Sequence, residues 1–139
     1  MGKNKSIIFA ILTIVALATA GILSCRRVSD NGKIDGYWQI HEIYYLADGT
    51  TEYPTDKFMA VQLELVQFGN PNTIWDMTGV LSYDKSEDFF IVDFRNNPSE
   101  SQLYKFGLSD KEQVIHIDKA DRKHLVLSTP IAVLRCRRF

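Results

Sequence analysis

The sequence after residue 35 predicts an all-β fold, a single antiparallel up-and-down barrel of about eight strands. Three observations carry that expectation. Apolar and polar residues alternate in short runs with a period of two. Turn-forming groups such as Asp48-Gly49, Gly69-Asn70-Pro71-Asn72, Asp84-Lys85-Ser86-Glu87 and Asn96-Asn97-Pro98 punctuate those runs. No long helical pattern separates them, so successive strands are hairpin neighbours, and closing such a meander into a barrel removes its exposed edges.

The chain opens with a segment of another kind. Lys3 and Lys5 precede a nearly unbroken apolar run over 7–18, and small or apolar residues lead on into Ile22-Leu23-Ser24-Cys25. A basic start, a short apolar stretch and a small residue before the cut are the parts of a secretory signal. The last four residues resemble the lipobox of bacterial lipoproteins, in which the cysteine takes the lipid. The expected division is a signal peptide over 1–24, lipidated Cys25 with a flexible polar tether over 25–35, and one domain over 36–139. A plain signal peptide and an uncleaved membrane anchor are the alternatives. The longer stretch over 7–23 is close to the lower limit of about 17 residues for a spanning helix, and Arg26-Arg27 removes the charge asymmetry that would orient such a span. Neither an Asp after the cysteine nor an acidic run follows it, which favours an outer-membrane anchor facing the periplasm.

The first strand begins at Gly36-Tyr37-Trp38, with Trp38, Ile40, Glu42 and Tyr44 on one face and Tyr37, Gln39, His41, Ile43 and Tyr45 on the other. A second, over 58–68, alternates Val61, Leu63 and Leu65 with Gln62 and Glu64. The third, over 73–83, sets Trp75, Met77, Leu81 and Tyr83 on its apolar face, and Gly79 there suggests a bend or bulge. A fourth, over 88–95, places Phe90, Val92 and Phe94 on one side. Residues 99–109 suit either a short helix capped by Ser99 or a turn followed by a strand, and the second is expected. Strands over 113–119, 124–129 and 131–139 complete the set. The inward residues are then Val61, Leu63, Leu65, Met77, Leu81, Val92, Ile115, Leu125, Leu127 and Leu134.

Composition narrows the function. The chain has 139 residues, and removing Lys3 and Lys5 with the leader leaves 14 basic against 17 acidic residues, a net charge of −3. That is no basic surface for nucleic acid. Cys25 and Cys136 are the only cysteines. A lipidated Cys25 leaves Cys136 as a single thiol that should be buried, whereas an unlipidated chain could pair the two. His41, His116 and His124 fall on separate strands without metal-ligand spacing, so no metal is expected. No nucleophile elbow, phosphate loop or distinct acidic pair appears, so neither an enzyme nor a cofactor is expected.

The lipobox, the polar tether, the opening Gly36-x-Trp38, the run of hairpins, Leu125-Val126-Leu127 and the closing Leu134-Arg135-Cys136-Arg137-Arg138-Phe139 together resemble the small lipocalin-like lipoproteins common in Bacteroidetes. The resemblance implies a barrel-end plug formed by Trp38, with Arg135, Arg137 or Arg138 stacked over it; Arg137 is the expected partner. Cys136 stands where the group more often has a large apolar residue, which implies looser closure there.

Two functions follow from a barrel of this size. Its aromatic residues either line a chamber for a small apolar or amphipathic ligand or fill the interior, leaving the loops to contact another envelope protein. For the first, the ligand is expected at the end away from Trp38, against Tyr44, Tyr53, Trp75, Tyr83 and Phe90. The arginines near the C-terminus are either a solvated strand face or partners for an anionic head group.

Overall fold

The computed structural model describes Lys5, Ile7, Ile8, Ile11 and residues 31–139. The cleavage site, Cys25 and the tether through residue 30 lie outside the described residues. Among the described residues the alternating sequence forms nine strands: β1 (Gly36–Tyr45), β2 (Thr51–Glu52), β3 (Phe58–Gln62), β4 (Leu65–Asn70), β5 (Ile74–Ser82), β6 (Phe89–Phe94), β7 (Glu112–Ala120), β8 (His124–Ser128) and β9 (Ala132–Arg138). One short helix, α1 (Glu100–Tyr104), lies between β6 and β7. The strands form one sheet in the order β2-β1-β3-β4-β5-β6-β7-β8-β9, and β1 also pairs with β9. All pairings are antiparallel, so eight strands close an up-and-down barrel and β2 is a short extra strand beside β1.

Three bulges set which side chains face inward, and each extra residue is polar. His41 is left over between the pairs Ile40 with Cys136 and Glu42 with Arg135. Asp76 lies between Met77, paired with Phe68, and Trp75, paired with Gly69. Asp118 lies between Ile117, paired with Leu127, and Lys119, paired with Val126. Because side chains alternate with a period of two, one extra residue moves everything beyond it to the other face. In β1 the inward set therefore passes from Trp38 and Ile40 to Ile43 and Tyr45, all buried, and Tyr44 turns outward. This corrects the expected single face of Trp38, Ile40, Glu42 and Tyr44.

The predicted strand over 58–68 is two strands joined by the tight turn Leu63-Glu64, with Gln62 paired to Leu65. Leu63 takes φ 54, the left-handed conformation that short hairpins require. Leu63 and Leu65, expected inward, are consequently 60% and 48% exposed. The other eight expected inward residues are all in the core. Gly79 is not at a bulge: a Cβ there would lie 2.3 Å from Val92 Cγ1, so the glycine lets β5 and β6 approach.

Residues 99–109 form a helix and a loop, not a strand. Ser99 Oγ accepts from the Gln102 amide while the Gln102 side chain accepts from the Ser99 amide, a reciprocal cap that satisfies two otherwise orphaned donors. The segment then turns at Gly107 (φ 69), where a Cβ would crowd Leu134 at 2.8 Å and Ala132 at 2.9 Å, and drops Leu103, Phe106 and Leu108 onto the core.

The interior is filled. Trp38, Phe68, Phe90, Phe94, Phe106, Met59, Met77, Ile40, Ile43 and Ile115 are all essentially inaccessible. Phe68 is the hub, with ring centroids 5.9 Å from Phe94 and 5.6 Å from Phe106. Cys136 is among the core residues, 1% exposed, paired with Leu125 on one side and, next to the His41 bulge, with Ile40 on the other, so the seam is closed around it.

Candidate functional site

The two ends of the barrel are built differently. At the end where β1 starts, residues 31–34 belong to the domain and not to a tether: Gly32–Ile34 forms a 3-10 turn and Ile34 is buried. Asn31 donates from its side-chain amide to the Leu63 carbonyl, 2.8 Å, and to Asp35 Oδ1, 2.6 Å. Trp38 closes this end, its indole N–H donating to the Ile34 carbonyl at 2.8 Å. The guanidinium of Arg138, not Arg137, lies 4.0 Å from the Trp38 ring centroid. The reason is strand alternation. Arg138 pairs with Trp38 and shares its face, while Arg137 turns outward, where its Nε donates to Gln39 Oε1 at 2.7 Å. Arg138 also donates to the carbonyls of Asp35 and Arg122, and Arg135 faces Glu42 at 3.5 Å.

The opposite end carries an open cleft of about 610 Å³ between β2, α1 and the segment leading into β3. Tyr45, Thr51, Glu52, Lys57, Tyr104 and Lys105 contribute to its walls. The rings of Tyr45 and Tyr104 are stacked, with centroids 4.8 Å apart and planes at 19°. The Tyr45 hydroxyl donates to the Tyr104 carbonyl at 3.0 Å. Burial, helped by the neighbouring Glu52 carboxylate, pushes the Tyr45 phenol up to about 12. Lys57 Nζ donates to Glu52 Oε1 at 2.7 Å and to the Lys105 carbonyl at 2.5 Å, tying β2 to the end of α1. Its ammonium is also 5.8 Å from the Phe106 ring centroid. Aromatic faces beside hydroxyls and one neutralised cation suit an amphipathic molecule and supply no nucleophile with its base.

The five aromatic residues expected around a ligand are not brought together. Tyr44 is turned outward by the His41 bulge and is 39% exposed, and Tyr53 beyond β2 is 72% exposed. Trp75, turned outward by the Asp76 bulge, lies with its centroid 6.3 Å from that of Tyr37 on the outer face. Tyr83 follows β5 at the other end of the strand and meets Phe90, which is wholly in the core, at 6.2 Å. None of the five lines the cleft, whose rings are Tyr45, neighbour of the expected Tyr44, and Tyr104 of α1. The pair Tyr44-Tyr45 was a visible signal, but the bulge decided which ring it delivered. Among the described residues no group of three His, Cys, Asp or Glu side chains is placed to hold a metal ion.

Comparison with known proteins agrees with this architecture. A lipocalin-like protein of Bacteroides uniformis superposes with a TM-score of 0.62 at 19% identity, covering 78% of this chain and 100% of the other. An uncharacterised protein of Bacteroides eggerthii superposes with a TM-score of 0.55 at 15% identity, covering 76% and 98%. No curated protein sequence matches. Residues 17–139 match the lipocalin-like domain family, and the closed antiparallel eight-strand barrel agrees with that match: this chain belongs to the lipocalin-like domain family.

Proposed function

We propose that the chain is a non-enzymatic binding lipoprotein of the cell envelope, held to the outer membrane by acyl chains on Cys25 and facing the periplasm, and that it takes a small amphipathic ligand at the barrel mouth. The cleft beside Tyr45 and Tyr104 carries this reading. Its volume, about 610 Å³, lies within the range of about 300–1,000 Å³ common to small-molecule sites, whereas the barrel interior is filled by its own side chains. The ligand stacks on Tyr104 and turns polar groups towards Thr51, Glu52 and Lys105.

Tyr104 is 53% exposed, so its ring can be removed without opening the core. Tyr104→Ala is expected to weaken binding of the lipophilic probe anilinonaphthalene sulfonate about tenfold, the equivalent of ~1.4 kcal/mol for one lost ring contact, with little change in melting temperature. Trp75→Ala should leave probe binding unaltered. Equal loss in both variants, or none in Tyr104→Ala, removes the site.

A second reading rests on the outer face. Tyr37 with Trp75, and Phe58 with Phe139 at 4.9 Å, form an aromatic patch across β1, β3 and β5 that a partner protein of the envelope would cover. Native mass spectrometry of the purified protein beside an organic extract separates the two readings. A co-purifying small molecule supports the first, and a co-purifying polypeptide displaced by Trp75→Ala supports the second.

A further inference from the structure

We infer that the Trp38 end of the barrel rests on the bilayer, with the β3–β4 hairpin tip, Leu63 and Leu65, seated at the boundary between head groups and acyl chains. The inference rests on the anchoring proposed above and adds an orientation and a lipid-contact site. Residue 31 lies beside this tip, because the Asn31 side chain is bonded to the Leu63 carbonyl. Six residue steps separate Cys25 from Asn31, and six residues span at most about 20 Å. Acyl chains on Cys25 therefore hold the tip close to the membrane surface.

The tip itself is made of the wrong residues for a solvent turn. At φ 54 a glycine or asparagine is relaxed and a leucine is strained. Here the strained residue is also a large apolar one, 60% exposed, with Leu65 at 48% beside it. Neither serves the turn or the core. Local rules broken without a local gain point to a use elsewhere, and an exposed leucine pair gains most from leaving water. An open cleft of about 580 Å³, lined by Asn31, Leu63, Glu64, Leu65 and Val80, gives room beside the tip for part of a lipid.

Charge does not select the lipid. The loops of this end carry Lys33, Lys85, Arg122 and Lys123 but also Glu64, Asp84, Glu87 and Asp88, all exposed. The contact is apolar, so neutral phosphatidylcholine suffices, and the site reaches only about 5–10 Å into the boundary region.

The test uses the full chain purified with its acyl groups and reconstituted into brominated phosphatidylcholine vesicles. Tryptophan emission is read in L63W, L65W and L46W after subtracting the parent; Leu46 is 50% exposed at the opposite end. Bromolipid should reduce the added emission of L63W and L65W about twofold or more, as insertion to that depth requires, and leave L46W unchanged. Two tip variants are used so that a misfolded L63W does not decide the result. Equal quenching at both ends, or tip emission shielded by a bound protein without quenching, overturns the inference. Mass measurement of Cys25 tests the anchor separately. If Cys25 is unacylated the anchoring proposal fails, and the comparison is repeated after coupling the Cys25 thiol to a maleimide phospholipid, the Cys136 thiol being buried. Quenching of L65W in that form sustains the inference, and its absence ends it.

Discussion

Cys136 and Tyr45 both turn inward, and both resist losing a proton. Burial in an apolar core raises the Cys136 thiol to about 12, and burial with the nearby Glu52 charge raises the Tyr45 phenol to about 12. In an unfolded chain these groups titrate near about 8.5 and 10. A group held protonated by the fold contributes stability that is intact below its unfolded value and is lost as pH rises towards its folded value. The melting temperature should therefore fall progressively between about pH 8.5 and 12, with the Cys136 component appearing first. Melts in buffers across that range test this. Cys136→Ala should flatten the early part of the fall and Tyr45→Phe the later part, and an unchanged slope in both variants refutes the assignment. The same burial keeps the thiol inert to alkylating reagents until the barrel opens.

At the scale of elements, α1 is five residues long, too short to persist without support from its ends and from packing. Ser99 supplies one end, and the turn it starts delivers Phe106 and Leu108 to the core. Ser99→Ala should cost about 0.5–2 kcal/mol in chemical denaturation, as loss of a helix cap does elsewhere. Ser99→Asp should restore most of it, whereas no loss in Ser99→Ala would show that packing alone holds the segment. The capping pattern was readable in the residues, but the apolar spacing from Leu103 to Leu108 read equally well as a strand, and only the demand for a cover over Phe68 separates the two. Most strands were legible because alternation and turn residues agree, as in β6 and β8. The candidate site was not, because a bulge is one residue of local pairing and leaves no mark in composition. His41 and Asp76 each reverse the phase of a strand that otherwise alternates cleanly, which is why Tyr44 and Trp75 point outward and Tyr45 points to the cleft. The Leu63-Glu64 turn was hidden for the opposite reason: it lacks the glycine or asparagine that announces such turns.

For the molecule as a whole, the two ends divide the work. The Trp38 end gathers residues 31–35, the β3–β4 tip and the Arg138 stack, while the far end holds the cleft. A protein held at one end presents the other to its surroundings, which suits a binding site facing the periplasm. The proposed lipidation would set that polarity, and metabolic labelling with a palmitate analogue should mark the wild type and not Cys25→Ala. A wild type without label removes the anchor, and label that persists in Cys25→Ala places it elsewhere.

The pairing of β1 with β9 has a consequence in time. The Ile40 to Cys136 pair joins residues nearly one hundred positions apart, while every other barrel seam joins neighbours in the chain. Local hairpins form in microseconds, but the last seam must wait for distant segments to meet. A chain still being made, or being threaded through a narrow channel, can zip its meander piece by piece and yet cannot close. Trp38 remains without its guanidinium lid until β9 arrives. For a polypeptide that crosses a membrane before it folds, a seam of this kind acts as a built-in delay, leaving the barrel open to transport until its final strand has emerged.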